Sequence, residues 1–222
     1  MQTAITRKKH FLFDLDGTLV DSSQFHRLAF REVLAKSAPE HLPGFDYEAV
    51  KGRATRDVFA DFGFQDEARV AVLTAEKQSA YSAAISKTGL PLIAGARVLL
   101  DFLASIDRNL YVVSAGSRAS VEQALRAAGI RKYFADVTTS NDVKNSKPDP
   151  EIYLRCLENH HLAAEDCLAI EDSDSGIAAS VGAGIDSVMV NTTTSPFHSC
   201  EVYSSLEEFC LQLICAFRSG LS

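Results

Sequence analysis

The sequence predicts an α/β fold: a parallel sheet covered by helices on both faces and interrupted after its first strand by a helical insert. Three observations carry this expectation. A short apolar run, Phe11-Leu12-Phe13, stops at Asp14-Leu15-Asp16-Gly17-Thr18, as a buried strand does where it meets a glycine-bearing loop. Three helical patterns then follow with no strand between them, over positions 21 to 88. Beyond Gly89 and Pro91 helical and strand patterns alternate, which is how a parallel sheet is built.

Taken in order, the first strand is apolar throughout because both faces of such a sheet are covered. Phe25, Leu28, Ala29, Val33 and Leu34 recur at helical spacing and predict a helix over 22–36, which Pro39, Pro43 and Gly44 break. Further helical patterns cover 55–62 and 66–86. The alternating part predicts a helix over 95–105, a strand over 110–113, a helix over 117–128 and a strand over 135–138. A helix over 150–160 follows, with proline in its first turn. A strand over 167–170, a helix over 173–181, a strand over 186–190 and an outer helix over 206–217 complete the chain.

A chain of 222 residues fits one large domain or a core plus a small one, because single cores stop growing near ~250 residues. Hydrophobic residues at 46% and charged residues at 23% exclude disordered and collagen-like chains. With 22 Lys plus Arg against 29 Asp plus Glu the net charge is −7, so a sequence-independent grip on nucleic acid is not expected. The five cysteines, Cys156, Cys167, Cys200, Cys210 and Cys215, show no CxxC spacing, so neither a disulfide framework nor a zinc site is expected. Arg7, Lys8 and Lys9 precede an apolar run that meets Asp14 after three residues, too short for a signal peptide or a membrane span. The expectation is a cytoplasmic protein with no membrane partner, a monomer or weak homo-oligomer, in which 209–217 packs against the core.

In an open parallel sheet ligands bind beyond the carboxyl ends of the strands. Asp14 and Asp16 stand one residue apart, on one side of the chain while it stays extended. Two carboxylates so close repel, and a hard divalent ion such as Mg²⁺, which takes one or two carboxylates plus substrate phosphate, would hold both ionised. The plainer reading of Asp-Gly alone is a turn. The second strand end, Val113-Ser114-Ala115-Gly116, offers a hydroxyl and a helix start, suited to an anionic oxygen or to simple capping. Lys147 stands in Ser146-Lys147-Pro148-Asp149-Pro150, where two prolines stiffen the loop. The apolar run Leu168-Ala169-Ile170 leads into Glu171-Asp172, and an acidic helix cap accounts for only one of these acids.

Together these residues resemble the haloacid dehalogenase-like hydrolase superfamily. Its four motifs stand here in order: the strand with Asp14 to Thr18, the strand-end Ser114, Lys147 before Pro148, and Glu171-Asp172 followed by Gly176 and Gly182-Ala183-Gly184. The resemblance implies a Rossmann-like core of residues 1–20 and 89–222 with a small helical cap, 21–88, inserted after the first strand. It implies a phosphatase working through an aspartyl phosphate. Asp14 would attack phosphorus, and Asp16 would protonate the leaving alkoxide and then deprotonate water, being protonated while Asp14 is not. Ser114, Ala115 and Lys147 would bind the phosphoryl group. Mg²⁺ would be held by Asp14, the backbone carbonyl of Asp16 and Asp172, with Glu171 beside them.

By the same resemblance Thr18 and the cap residues His26, Arg56 and Lys77 would serve the substrate, a small phosphorylated metabolite, although each cap charge also reads as a solvated helix residue. Their spacing is similar to that in β-phosphoglucomutases and sugar-phosphate phosphatases. Where the mutases carry Ser-Ala-Ser-Lys, this chain has Ser114-Ala115-Gly116-Ser117-Arg118, with the cation displaced and changed in type. The expectation is therefore a phosphatase for a sugar or sugar-alcohol phosphate, with a mutase as the alternative and a non-catalytic binding protein behind both. Dehalogenation needs neither Asp16 nor a metal, and phosphonate hydrolysis, for which Lys51 is a conceivable Schiff base, replaces Asp16.

Overall fold

The computed structural model describes residues 5–192 and 200–219. Its strands are β1 His10–Phe13, β2 Asn109–Ser114, β3 Asp136–Thr139, β4 Cys167–Glu171, β5 Asp186–Met189 and β6 Glu201–Val202. All pairings are parallel, in the order β3-β2-β1-β4-β5-β6. The described residues form eight α-helices: α1 Ser23–Ser37, α2 Thr55–Asp61, α3 Glu67–Thr88, α4 Ala96–Ser105, α5 Arg118–Ala127, α6 Glu151–His160, α7 Asp174–Gly182 and α8 Leu206–Ser219. No helix among the described residues is long and apolar enough to cross a membrane.

The period-two geometry of a strand sorts even a wholly apolar run. Phe11 and Phe13 of β1 point to one face, where Leu99 and Leu103 of α4, Leu125 of α5 and Phe209 of α8 pack. Leu12 points to the other, against Ile152 and Tyr153 of α6 and Ala179 of α7. The outer helix thus takes its place in the core as expected, with Leu206, Phe209, Cys210 and Leu213 buried. The two-residue β6, too short to give a sequence pattern, extends the sheet by pairing with β5.

The insert leaves after Val20 and returns at Leu92 through an antiparallel bridge between those residues. Asp21 N–H donates to Pro91 O at 2.9 Å and Ile93 N–H to Leu19 O at 2.9 Å, so both connections are tied. Within the insert, α1, α2 and α3 share a cluster that includes Phe30, Leu34, Val58, Phe59 and Leu73. Phe25, Ala29, Tyr81 and Ile85 instead join the cluster under the sheet. The insert therefore has its own core and also a seam with the α/β part. Asp66 caps α3 by accepting from Ala68 N–H at 3.0 Å, and Gly89, at φ +78°, follows its last turn.

The sheet order places β1 between β2 and β4, where the chain's crossovers turn opposite ways, and this is the crevice where ligands bind. Phe13 pairs with Val112 on one side and Ile170 on the other, so Asp14 emerges level with Glu171, and Ser114 stands one residue further along β2.

Candidate active site

Asp14 continues the β1 ladder by donating its N–H to Ile170 O at 3.0 Å, and the chain then turns sharply, with Gly17 N–H donating to Val20 O at 2.8 Å. Gly17 sits at φ +88°, and a Cβ there would lie 2.1 Å from Asp172 Oδ2, so the turn and the close approach both require glycine. Asn191 Nδ2–H donates to Gly17 O at 2.7 Å, while its Oδ1 accepts from Leu206 N–H at 2.8 Å. It ties this loop to the start of α8.

Lys147 is fully buried and its ammonium has three acceptors: Asp14 Oδ1 at 2.7 Å, Glu171 Oε1 at 2.6 Å and Val113 O at 2.8 Å. Burial alone would discharge it, but the two carboxylates keep its pKa above the ordinary lysine value. Its loop is fixed by Glu151, whose carboxylate accepts from Lys144 N–H at 3.0 Å and Asn145 N–H at 2.8 Å. Ser114 is buried at the end of β2 and its Oγ accepts from Gly116 N–H at 3.1 Å. Ser117 caps α5 just beyond, so hydroxyl and helix N-terminus face one rim.

Asp14, Glu171 and Asp172 form a buried cluster whose ligating oxygens all lie within 4.8 Å of one another. Glu171 Oε2 and Asp172 Oδ1 are buried and accept no hydrogen bond. Burial raises all three pKa values, Glu171 to about 8 and Asp172 to about 7, with the charge of Asp14 adding to both. Unpartnered carboxylate oxygens converging at this separation suit a hard divalent cation such as Mg²⁺, which would bring those values down. Gly176 leaves the room: a Cβ there would stand 2.0 Å from Glu171 Oε2. From the insert, Lys51 Nζ reaches within 2.5 Å of Asp172 Oδ2.

The Asp16 carboxylate stands outside this cluster. Its Oδ1 lies 3.0 Å from His26 Nε2, and His26 Nδ1 lies 2.6 Å from Lys77 Nζ. His26 stacks on Tyr81 with ring centroids 4.1 Å apart, and Lys77 sits over the Phe30 ring at 4.7 Å. Burial would raise the Asp16 pKa, but His26, followed by Ser22 and Lys77, holds it at about 2, while burial lowers Lys77 to about 8. Asp16 is thus held below the usual carboxylate range while burial pushes Asp14 up, because three acids share the Asp14 pocket and Asp16 alone faces the histidine.

These groups open into a cavity lined by Asp14, Asp16 and Ser114 from the α/β part and by His26, Tyr47 and Lys77 from the insert. Arg56 does not line it. Its guanidinium donates instead to the carbonyls of Ser140 at 3.2 Å, Val143 at 3.4 Å and Lys144 at 2.5 Å, which corrects its expected place over the substrate. Three carbonyls bordering one gap make a better partner for a planar fork of donors than open solvent does. Arg53, three residues earlier, lines the cavity instead. Thr18 is fully buried beneath the turn and does not line it either. Arg118 donates to Val137 O at 2.9 Å and Asp142 Oδ2 at 2.8 Å.

The haloacid dehalogenase-like hydrolase family matches residues 11–190. The chain belongs to that family. Fructose-1-phosphate phosphatase YqaB of Escherichia coli (strain K12) is 31% identical over 188 residues, covering 81% of this chain and 94% of that protein. The β-phosphoglucomutase of Bacillus subtilis (strain 168) is 30% identical over 193 residues, 82% of this chain and 83% of that protein. In fold, the crystal structure of β-phosphoglucomutase from Clostridium difficile superposes with a TM-score of 0.78 at 24% identity, over 96% of this chain and 99% of that one. The haloacid dehalogenase-like hydrolases similar to this chain thus include both a phosphatase and a mutase. Within this member, sequence reasoning overlooked Tyr153, whose hydroxyl donates to Glu171 Oε1 at 2.5 Å. An aromatic residue at an apolar helical position carries no signal beyond packing.

Proposed function

We propose that this protein is a Mg²⁺-dependent phosphoric monoester hydrolase that acts on a small sugar or sugar-alcohol phosphate through an aspartyl phosphate, its insert serving as a cap. One observation carries the reading: Asp14 lies at the switch point of the sheet with its Oδ1 held by Lys147 at 2.7 Å, between the Ser114 rim and the buried acids. A mutase must retain a bisphosphate, and Arg118, which stands one position beyond the mutases' lysine, is taken up by Asp142, while the insert's Arg56 is taken up by backbone carbonyls. That favours hydrolysis.

The Asp14 oxygen not held by Lys147 attacks phosphorus, and the bond from phosphorus to the sugar oxygen breaks. The Ser114 hydroxyl and the N–H groups opening α5 stabilise charge on the phosphoryl oxygens, while Lys147, its three hydrogens given to Asp14, Glu171 and Val113 O, orients Asp14 and adds its positive charge. A divalent cation held by Asp14, Asp172, Glu171 and the Asp16 carbonyl would add charge to that same stabilisation. Asp16 hands a proton to the departing oxygen. A phosphate dianion beside it disfavours its ionised form, and its proton can come from the Lys77 ammonium through His26, which gives up the proton on Nε2, 3.0 Å from Asp16, as Nδ1 takes one from Lys77 Nζ at 2.6 Å. In the second step water attacks phosphorus and gives its proton to Asp16, which releases phosphate and restores the Asp14 carboxylate. The groups that the insert brings to the cavity exclude bulk water.

Phosphate release from hexose phosphates, sugar-alcohol phosphates, phosphoglycolate and nucleotides, with and without Mg²⁺, tests the proposal. Metal-dependent release that falls at least about 10³-fold in Asp14→Asn is expected. An isomerised sugar phosphate without free phosphate would overturn it in favour of a mutase.

A further inference from the structure

Glu171 is held in an asymmetric way. Its Oε1 accepts from Lys147 Nζ at 2.6 Å and from the Tyr153 hydroxyl at 2.5 Å, while its Oε2 is buried and accepts nothing. Each carboxylate oxygen offers two lone-pair sites, so both sites of Oε1 are filled and only Oε2 remains open. One donor would fix a point and leave the carboxylate free to swing about it. Two donors from different elements, the Lys147 loop and α6, fix its plane as well.

Tyr153 is suited to this task and to little else. It is fully buried on the first turn of α6, its ring lies under Lys147 at 5.5 Å from Nζ, and its hydroxyl reaches the end of β4. Packing on Ile152, Cys156 and Ala169 would be served as well by phenylalanine. A buried hydroxyl is retained at a cost unless it is bonded, and here its partner is one of the three acids of the cation cluster.

We infer that Tyr153 is a positioning residue for the cation site: by saturating Oε1 of Glu171 together with Lys147, it presents Oε2 as the single donor that Glu171 offers to a divalent ion. The inference rests on reading the Asp14, Glu171 and Asp172 cluster as that site. Partners that orient a metal-facing carboxylate matter nearly as much as the carboxylate, and their loss typically weakens affinity about 10- to 100-fold.

Tyr153→Phe tests this, since it keeps the ring under Lys147 and removes only the hydroxyl. Mn²⁺ binding to the full chain, followed by electron paramagnetic resonance, and Mg²⁺ binding by calorimetry read the site without turnover. The expected result is a Kd raised about tenfold or more in Tyr153→Phe, with the far- and near-ultraviolet circular dichroism of the wild type retained. If the tyrosine acts through Glu171, the same substitution made on a Glu171→Gln background changes Kd by less than twofold. Affinity within twofold of wild type for Tyr153→Phe, or an equal loss on the Glu171→Gln background, would overturn the role of Tyr153 alone. Failure of the wild type itself to bind Mn²⁺ would overturn the cation site and this inference with it. A wild type that binds Mn²⁺ but releases no phosphate would refute the proposed activity while leaving the Tyr153 comparison decisive.

Discussion

Replacing Lys147 by methionine keeps the length of the aliphatic stem and removes the ammonium at its end. In the wild type that ammonium satisfies Asp14 Oδ1, Glu171 Oε1 and Val113 O, all buried. Removing one partner of a buried ion pair costs about 3–5 kcal/mol, because the other charge is left uncompensated. For a chain of this size that corresponds to a fall in Tm of roughly 6–20 °C in EDTA. The cost must depend on pH. Asp14 and Glu171 already have folded pKa values raised above their unfolded ones, chiefly by burial, with Glu171 at about 8. Such acids oppose folding increasingly as pH rises from the unfolded value to the folded one, and the opposition fades as pH falls and they take up protons. Without Lys147 both values rise further, so at pH 5 the variant buries neutral acids and at pH 8 it must bury charge or unfold. Urea denaturation of both proteins in EDTA at pH 5 and pH 8 measures this, the difference in ΔG being larger at pH 8. A difference below about 1 kcal/mol at pH 8, or one that does not change with pH, would refute the reasoning.

Two further substitutions examine how the loops close on the site. Gly17→Ala sets a Cβ 2.1 Å from Asp172 Oδ2 in a backbone at φ +88°, so it should weaken Mg²⁺ binding as well as lower stability by about 1–2 kcal/mol. Calorimetric titration with Mg²⁺ checks it, and unchanged affinity would mean that Asp172 can move aside. Arg56→Ala removes donors to the carbonyls of Ser140, Val143 and Lys144, which join the insert to the α/β part. It should raise amide hydrogen exchange in α2 and raise KM more than it lowers kcat, whereas loss of kcat at unchanged KM would put Arg56 in contact with the reacting groups.

Residues at the strand ends were legible in the sequence because backbone register alone delivers them. Once β1, β2 and β4 are recognised as adjacent parallel strands, Asp14, Ser114 and Glu171 must emerge at one edge of the sheet, within one residue of the same level. Residues arriving from the insert follow a weaker rule, since their reach depends on how a separately packed unit docks. Arg53 and Arg56 look alike in the sequence, three residues apart, yet one lines the cavity and the other clamps carbonyls outside it. Lys51 reads as a conceivable Schiff base but approaches Asp172, because Gly17 and Gly52 lack the side chains that would hold the two loops apart. The charge state of Asp16 is further still from the local sequence: it is set by a histidine on α1 and, behind it, a lysine on α3. The same reasoning explains why Tyr153 was missed. What distinguishes it from a core aromatic is one oxygen atom whose partner lies eighteen residues away on another element. In this fold the reacting groups are therefore readable from the strand pattern, while the groups that tune them, from the insert and from α6, become visible only through contacts across the chain.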